Sequence, residues 1–337
     1  KRFLRAFSGR TGEGGLHAGL SPGKAHKEKM VTTPEQLSEG RRAGITIGNF
    51  DGVHIGHQKL IRRTLEVCRE NGLDCVVVTF WPHPRAVLSG QLMVPLADQG
   101  MRRRLLAKLG VNYLLELTFS REMAALSPIE FLHQYLYPLN ISHLVIGYDF
   151  KLGKGRSGDY STLRQIGLDD GFGVEQVSPL MLDGSPVSST RLRSIIESGN
   201  MQLARTMLGR PHSFTGRVIH GEGRGTGLGF PTANVAVPNV LLPPDGVYAT
   251  TVTHRGKVYQ AVTNIGCNPT FHGSQRTVES FLLDCDLNLY GEEIMLSFLA
   301  RLRGEHRFAN ALELTAQIQR DIADARPWYT QDVHDTI

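Results

Sequence analysis

The sequence predicts an α/β doubly wound parallel sheet, followed by a mainly antiparallel β-barrel with a C-terminal helix. Three observations carry this reading. From Ala43 to Ile146 short apolar runs alternate with helical patterns, the βαβ repetition that builds a parallel sheet. Gly209, Arg210 and Pro211 then punctuate the chain, and beyond them short alternating runs follow one another between Gly- and Pro-rich turns with no helix among them. At 337 residues the chain is also long enough for two domains, each with a core of its own.

Each element has a local reason. "AGITIG" (Ala43–Gly48) is a buried strand, and in "HQKLIRRTLEVCREN" the residues Leu60, Ile61, Leu65 and Cys68 fall at helical spacing before Gly72 stops the helix. "CVVVTF" is the second strand. Helix, strand, helix and strand then follow at Met101–Leu109, Tyr113–Leu117, Pro128–Leu136 and His143–Ile146. Ser188–Leu208 reads as helical with a break at Gly199 and Asn200. In the second half "GVYATTVTH", "KVYQAVTNIG", "TVESFLLD" and "EIMLSFLARL" alternate like strands, and Ala309–Ala323 closes the chain as an amphipathic helix.

Charge and cysteine content narrow the class. The net charge is +5, and residues 1–29 hold all of it, with seven lysines and arginines against two glutamates. That stretch has no apolar period and the composition of a disordered or non-native leader, with Met30 as the expected start. The expected division is therefore a leader over 1–29, one domain over 30–210 and a second over 211–337. The neutral remainder gives no case for a nucleic-acid partner. No apolar run reaches the roughly 20 residues of a membrane span. Cys68, Cys75, Cys267 and Cys285 show no Cys-x-x-Cys spacing, so buried free thiols and a reducing, cytoplasmic setting are expected.

Two constellations carry chemistry. In "GNFDGVHIGHQ" (Gly48–Gln58) a strand ends at Gly48 and a helix opens at His57, which puts the loop at the carboxyl edge of the sheet, where ligands of such sheets bind. The helix N-terminus attracts phosphate, Gly52 and Gly56 admit backbone to an anion, and His54 and His57 lie one turn apart, each able to donate a hydrogen bond to phosphate. An isolated pair of this kind more often just caps a helix. A second phosphate contact is offered by "VSSTRLR" (Val187–Arg193), which places Ser188, Ser189 and Thr190 at a helix start with Arg191 and Arg193 behind them. In the second half "GEGRGTGLGFPTANV" (Gly221–Val235) is rich in glycine but lacks the Walker pattern, and a flexible turn is the plain alternative. Thr232 and Asn234 alternate in an extended stretch, so both point to one face and offer oxygens to Mg²⁺.

GNFDGVHIGHQ, "TFWPHP" (Thr79–Pro84), "GYDFKLGKGRSGD" (Gly147–Asp159) and VSSTRLR together resemble the FMN adenylyltransferase domain of bacterial bifunctional riboflavin kinase/FMN adenylyltransferases, the FAD synthetases. "GFPTAN" is similar to the riboflavin kinase signature, and "LLPPDGVYA", "TNIGCNPTF", "TVESFLLD" and "LYGEEIMLSFLARLRGEHRF" follow in that family's order. The resemblance spans about Met30 to Ile322. It implies a nucleotidylyltransferase-like first fold, with ATP held by Asn49, His54, His57, Ser189, Thr190 and Arg193 and flavin near Pro82, Asp149 and Phe150. For the barrel it implies ATP at Gly221, Gly225 and Thr232, Mg²⁺ at Thr232 and Asn234, flavin at Asn264 and Arg303, and Glu279 as general base. From spacing alone Glu279 would be a solvent-facing strand carboxylate. Thr226 stands where arginine is usual and Leu152 where an aromatic is common. The implied chemistry takes riboflavin, FMN, FAD and ATP as substrates and products. A single-activity kinase and a flavin- or RNA-binding regulator are the competing classes, and oligomeric state is not readable from the sequence.

Overall fold

The structure is a computed structural model of the chain, and it describes residues 29–31, 40–90, 92–221, 229–237, 239–270, 273–285, 287–306 and 308–329. Gly225 and Thr226, most of the leader and residues 330–337 lie outside the described residues.

The first half is a six-stranded, wholly parallel sheet. Its strands are β1 (Lys29–Val31), β2 (Ala43–Ile47), β3 (Asp74–Trp81), β4 (Tyr113–Thr118), β5 (Ile141–Gly147) and β6 (Gly173–Val177), in the order β1-β4-β3-β2-β5-β6. β2 is fully buried, as an apolar central strand should be. After β4 the chain returns to the other side of β2, so the loops leaving β2 and β5 diverge and open a crevice at the carboxyl edge. Helix α1 (Ile55–Asn71) packs Leu60, Ile61, Val67 and Cys68 on one face of the sheet, and Gly72 ends it with φ +63°, the left-handed cap that glycine adopts without strain. Lys29 belongs to β1, so the sheet begins one residue before Met30.

Between these strands lie the helices α2 (Pro84–Ser89), α3 (Gln99–Lys108), α4 (Arg121–Ala125), α5 (Pro128–Phe131) and α6 (Tyr160–Asp170), and after β6 comes a small antiparallel pair, β7 (Met181–Leu182) and β8 (Ser185–Pro186). The segment Ser188–Leu208 then forms α7 (Ser189–Glu197) and α8 (Met201–Leu208), with the expected break at Gly199 and Asn200. Beyond it a closed barrel runs in the order β10-β13-β12-β11-β14-β9, all antiparallel: β9 (His212–Ile219), β10 (Thr232–Val235), β11 (Gly246–His254), β12 (Lys257–Thr270), β13 (Gly273–Leu282) and β14 (Glu293–Arg303). The closing helix α9 spans Ala311–Ala325, two residues later than its apolar period suggests, because Asn310 supplies the cap by accepting the Glu313 N–H.

The barrel interior is solid. Phe214, Tyr248, Ile265, Val278, Leu296 and Phe298 fill it, and a chain of hydroxyls, Thr250 to Thr263 to Ser280 at 2.7 Å each, satisfies its buried polar groups. Leu192, Ile196, Met201, Ala204, Met207 and Leu208 from α7 and α8 belong to this same apolar cluster, so the two halves share a core at their junction. The outer face of the barrel is covered in part by Ile322 and Ala325 of α9 and by Trp328 and Tyr329 just after it.

Candidate active sites

The crevice at the sheet edge widens into a cavity of about 850 Å³. Its walls include Asn49, His54, His57, Ser189, Thr190 and Arg193, which are all six residues expected at the first ATP site, and also Asp149 and Phe150 from the loop after β5. The turn after β3 contributes His83, Pro84 and Arg85 to the wall in place of Pro82. Leu152 is buried against the sheet core and still touches the cavity.

The two histidines form a stacked pair, with ring centroids 3.6 Å apart and an interplanar angle of 17°. His54 caps α1, since its Nδ1 accepts the His57 N–H at 3.2 Å, and this fixes its proton on Nε2. Burial pushes His54 down to about 4, and burial followed by the nearby His54 holds His57 well below the usual imidazole range. Both rings are therefore neutral near pH 7. Each ring then carries a single N–H donor and neither is a standing cation, and both line the cavity.

Other side chains build the site without standing in the expected set. Asp51 is buried; its Oδ1 accepts the Leu96 N–H at 2.8 Å, its Oδ2 accepts Arg193 Nη2 at 3.1 Å, and its carbonyl accepts Ser189 Oγ at 3.0 Å. Arg102, buried under the loop, donates to the carbonyls of Asn49 at 3.2 Å and Phe80 at 3.3 Å while pairing with Glu116 at 2.8 Å, and so ties the carboxyl ends of β2 and β3 together. Gln58 donates to the carbonyls of Val53 and Leu208, and Arg210 to that of Gly52 at 2.9 Å, which fastens the end of α8 to the same loop. Asp51 stands inside the quoted motif. Gln58 closes the same motif, though its bond to Leu208 reaches 150 residues along the chain. Arg102 and Arg210 carry no sequence signal, because the loop carbonyls they hold lie far away along the chain.

The second site is on the outside of the barrel. Val278 and Ser280 point inward, so Glu279 points outward. The register sets Asn234 opposite Glu279, Glu279 opposite Asn264, Asn264 opposite Val247, and Val247 opposite Arg303. Directly opposed residues share a face, so Asn234, Glu279, Asn264 and Arg303 form one row across the sheet, with Thr232 opposite Phe281 in the next row. Gly221 closes one end of the row, since a Cβ there would overlap the Asn234 amide. At the other end Arg303 is held by Asp321 of α9 through two bonds of 2.8 and 2.7 Å and lies 5.7 Å over the Phe308 ring. Thr232 and Asn234 supply neutral oxygens, and no group of three or more His, Cys, Asp or Glu side chains suited to a metal stands among the described residues. That donor set fits Mg²⁺, an ion that takes few protein ligands and relies on phosphate oxygens.

A family profile described as FAD synthetase matches residues 36–191, and one described as riboflavin kinase matches residues 208–329. A bifunctional riboflavin kinase/FMN adenylyltransferase of Bacillus subtilis is 37% identical over 311 residues, covering 89% of this chain and 97% of its own. The chain belongs to the bifunctional riboflavin kinase/FMN adenylyltransferase family. The Escherichia coli K12 member is also 37% identical, over 307 residues, covering 89% of this chain and 98% of the relative. A solved Streptococcus pneumoniae structure described as a macrolide-efflux protein superposes with a TM-score of 0.83 at 30% identity, covering 90% of this chain and 99% of that one. This bears out the fold class, parallel sheet first and barrel second, and the two family profiles match the chain in that same order. No helix among the described residues is long and apolar enough to cross a membrane.

Proposed function

We propose that this chain makes FMN from riboflavin and then FAD from FMN, using ATP for both steps, with residues 211–337 as the kinase and residues 30–210 as the adenylyltransferase. The observation that carries this is the pairing, in one family member, of a cavity walled by neutral imidazole, hydroxyl and guanidinium donors with a separate cross-strand row centred on a carboxylate.

In the barrel, Glu279 accepts the proton of the ribityl hydroxyl as that oxygen bonds to the γ-phosphorus of ATP and the bond to ADP breaks. Positioned proton transfer of this kind typically contributes about 10² to 10⁴ in rate. Asn234 and Asn264 flank the carboxylate, and amide groups there orient the flavin chain and the phosphate. Thr232 and Asn234 would hold Mg²⁺, which when bound offsets phosphate charge. Gly221 and Gly225 line the ATP, Asn264 orients the flavin, and Arg303 borders it while securing α9.

In the cavity, the phosphate of FMN is already ionised and needs no base. Its oxygen attacks the α-phosphorus of ATP, a new P–O–P bond forms, and pyrophosphate leaves. His54 and His57 donate to the phosphates from one wall, with Asn49 beside them, and Ser189, Thr190 and Arg193 from the other, stabilising charge as it moves to the leaving group. Asp149, Phe150 and the turn through His83 and Pro84 face the flavin. A cytoplasmic setting suits the four free cysteines.

The test is chromatography of flavins over time after mixing the protein with riboflavin, ATP and Mg²⁺. The expected result is FMN first and FAD after it. FMN alone would leave only the kinase, and no product from folded protein would refute the proposal.

A further inference from the structure

We propose that Asp51 is a positioning residue for the adenylyl transfer, joining the histidine loop to helix α7 and setting the guanidinium of Arg193 where it meets the phosphates of ATP. The inference rests on the reading of Arg193 as an ATP contact.

Three chain segments converge on Asp51. It sits in the turn between β2 and α1, where Phe50, Gly52 and Val53 have φ of +48°, +77° and +43°, so the turn does not hold its shape by local preference and depends on outside bonds. The carboxylate supplies two of them. Oδ1 takes the Leu96 N–H and Oδ2 takes Arg193 Nη2, while the Asp51 carbonyl takes Ser189 Oγ. Arg193 is held from a second side as well, because Nη1 donates to the Val94 carbonyl at 2.6 Å. A guanidinium has five N–H donors in a rigid fork, so two fixed contacts orient the plane and leave other donors for the cavity that Arg193 lines. Asp51 is itself 4% exposed and is not on the cavity wall, so it acts through Arg193 and the loop and does not touch substrate. Its one side chain thus keeps the wall that carries His54 and His57 in register with the wall that carries Ser189 and Arg193.

The test compares Asp51→Asn, Arg193→Ala and the double variant, with FMN formation by the same chain as an internal control of folding. Asn keeps the shape and the acceptor for Leu96 but loses the charge. The expected result is a fall of roughly ten- to hundredfold in kcat/KM for ATP in FAD formation, the size of one lost charged hydrogen bond. The KM for FMN and the rate of FMN formation should hold. The double variant should lose no more than Arg193→Ala alone, since the two residues act through one contact. A general collapse of the cavity would instead shift the KM for both ATP and FMN. Parental ATP kinetics in Asp51→Asn, or multiplicative losses in the double variant, would overturn the inference while Arg193→Ala remains impaired. If Arg193→Ala itself behaves as parent, the underlying reading of Arg193 has failed. Should Asp51→Asn not fold, Arg193→Lys reads the same bond from the other side: it keeps the cation but cannot span both Asp51 and Val94, and a parental KM for ATP there would overturn the proposal.

Discussion

Lowering the pH should unfold this protein earlier than its surface charge would suggest, and buried histidines set the window. His54 is held at about 4 by burial, which the Arg210 charge reinforces, and His212 is also held at about 4, first by burial. In the unfolded chain each returns to about 6.5. Between those values the unfolded state binds protons that the folded state refuses, so their contribution is whole above about pH 6.5 and is lost as the pH falls toward 4. Each group gives a slope of roughly 1.4 kcal/mol per pH unit, so the pair should lose roughly 5 kcal/mol over two units, a large share of an ordinary domain's stability of about 5–15 kcal/mol. His57 adds in the same direction. Asp51 works the opposite way: burial raises its carboxyl, so the folded state takes its proton first and that contribution grows as the pH falls. Urea unfolding at a series of pH values, followed by the fluorescence of Trp81 in the sheet and Trp328 beside the barrel, would measure the slope. His212→Gln isolates one term, because His212 Nε2 meets the Leu241 carbonyl at 2.7 Å and glutamine can donate there without titrating. A flat stability from about pH 6.5 to 4.5, or a slope unchanged by His212→Gln, would refute the reasoning.

Three further outcomes are expected. His57→Ala should cut FAD formation by on the order of 10²-fold while FMN formation continues, and Glu279→Ala, given FMN, should do the reverse; product ratios by chromatography check both. Gly221→Ala should lower FMN formation and spare FAD formation from supplied FMN, because the new Cβ displaces the Asn234 amide from the row beside Glu279. Asp321→Ala should destabilise the barrel by about 3 kcal/mol, read by thermal or urea unfolding, since it strips a two-bond partner from the half-buried Arg303 and loosens α9.

Where the chain speaks locally, the sequence predicts the fold well. The strands around Ile45, Val77 and Leu144 are apolar on both faces and bounded by helical periods, and four of the barrel strands stand out as short runs rich in β-branched and apolar residues between turns, although β11 and β14 are buried in continuous stretches and do not alternate. β1 spans only three residues, too short for any period, and β6, Gly173–Val177, is an edge strand with half-exposed side chains and little pattern. β9 does alternate, with Phe214 and Val218 inward, but it begins immediately after the Gly209–Pro211 punctuation and reads as boundary. Tyr160–Asp170 forms a helix of weak amphipathicity with few buried residues and passes unnoticed for the same reason. Site residues divide along similar lines. The two loops proposed to hold phosphate are contiguous stretches, so His54, His57, Ser189 and Arg193 stand out. Arg102 and Arg210 work through carbonyls of residues 53 and 158 positions away, and no spacing rule encodes such a bond.

The shared core at the junction makes α7 a helix with two loyalties. Its first turn lines the cavity at the sheet edge, while Leu192 and Ile196 on the same helix, with Met201, Ala204, Met207 and Leu208 of α8, seal apolar surface of the barrel. Scissors applied at Gly209–Pro211, the obvious seam in the sequence, would strand that seal on the wrong fragment and leave the barrel's greasy lining facing water. A cut ahead of Ser188 would keep the barrel covered but take Ser189, Thr190 and Arg193 with it. The two halves of this chain can therefore be recombined with other partners only by rebuilding this pair of helices, and evolution or design that separates the two chemistries has to begin there.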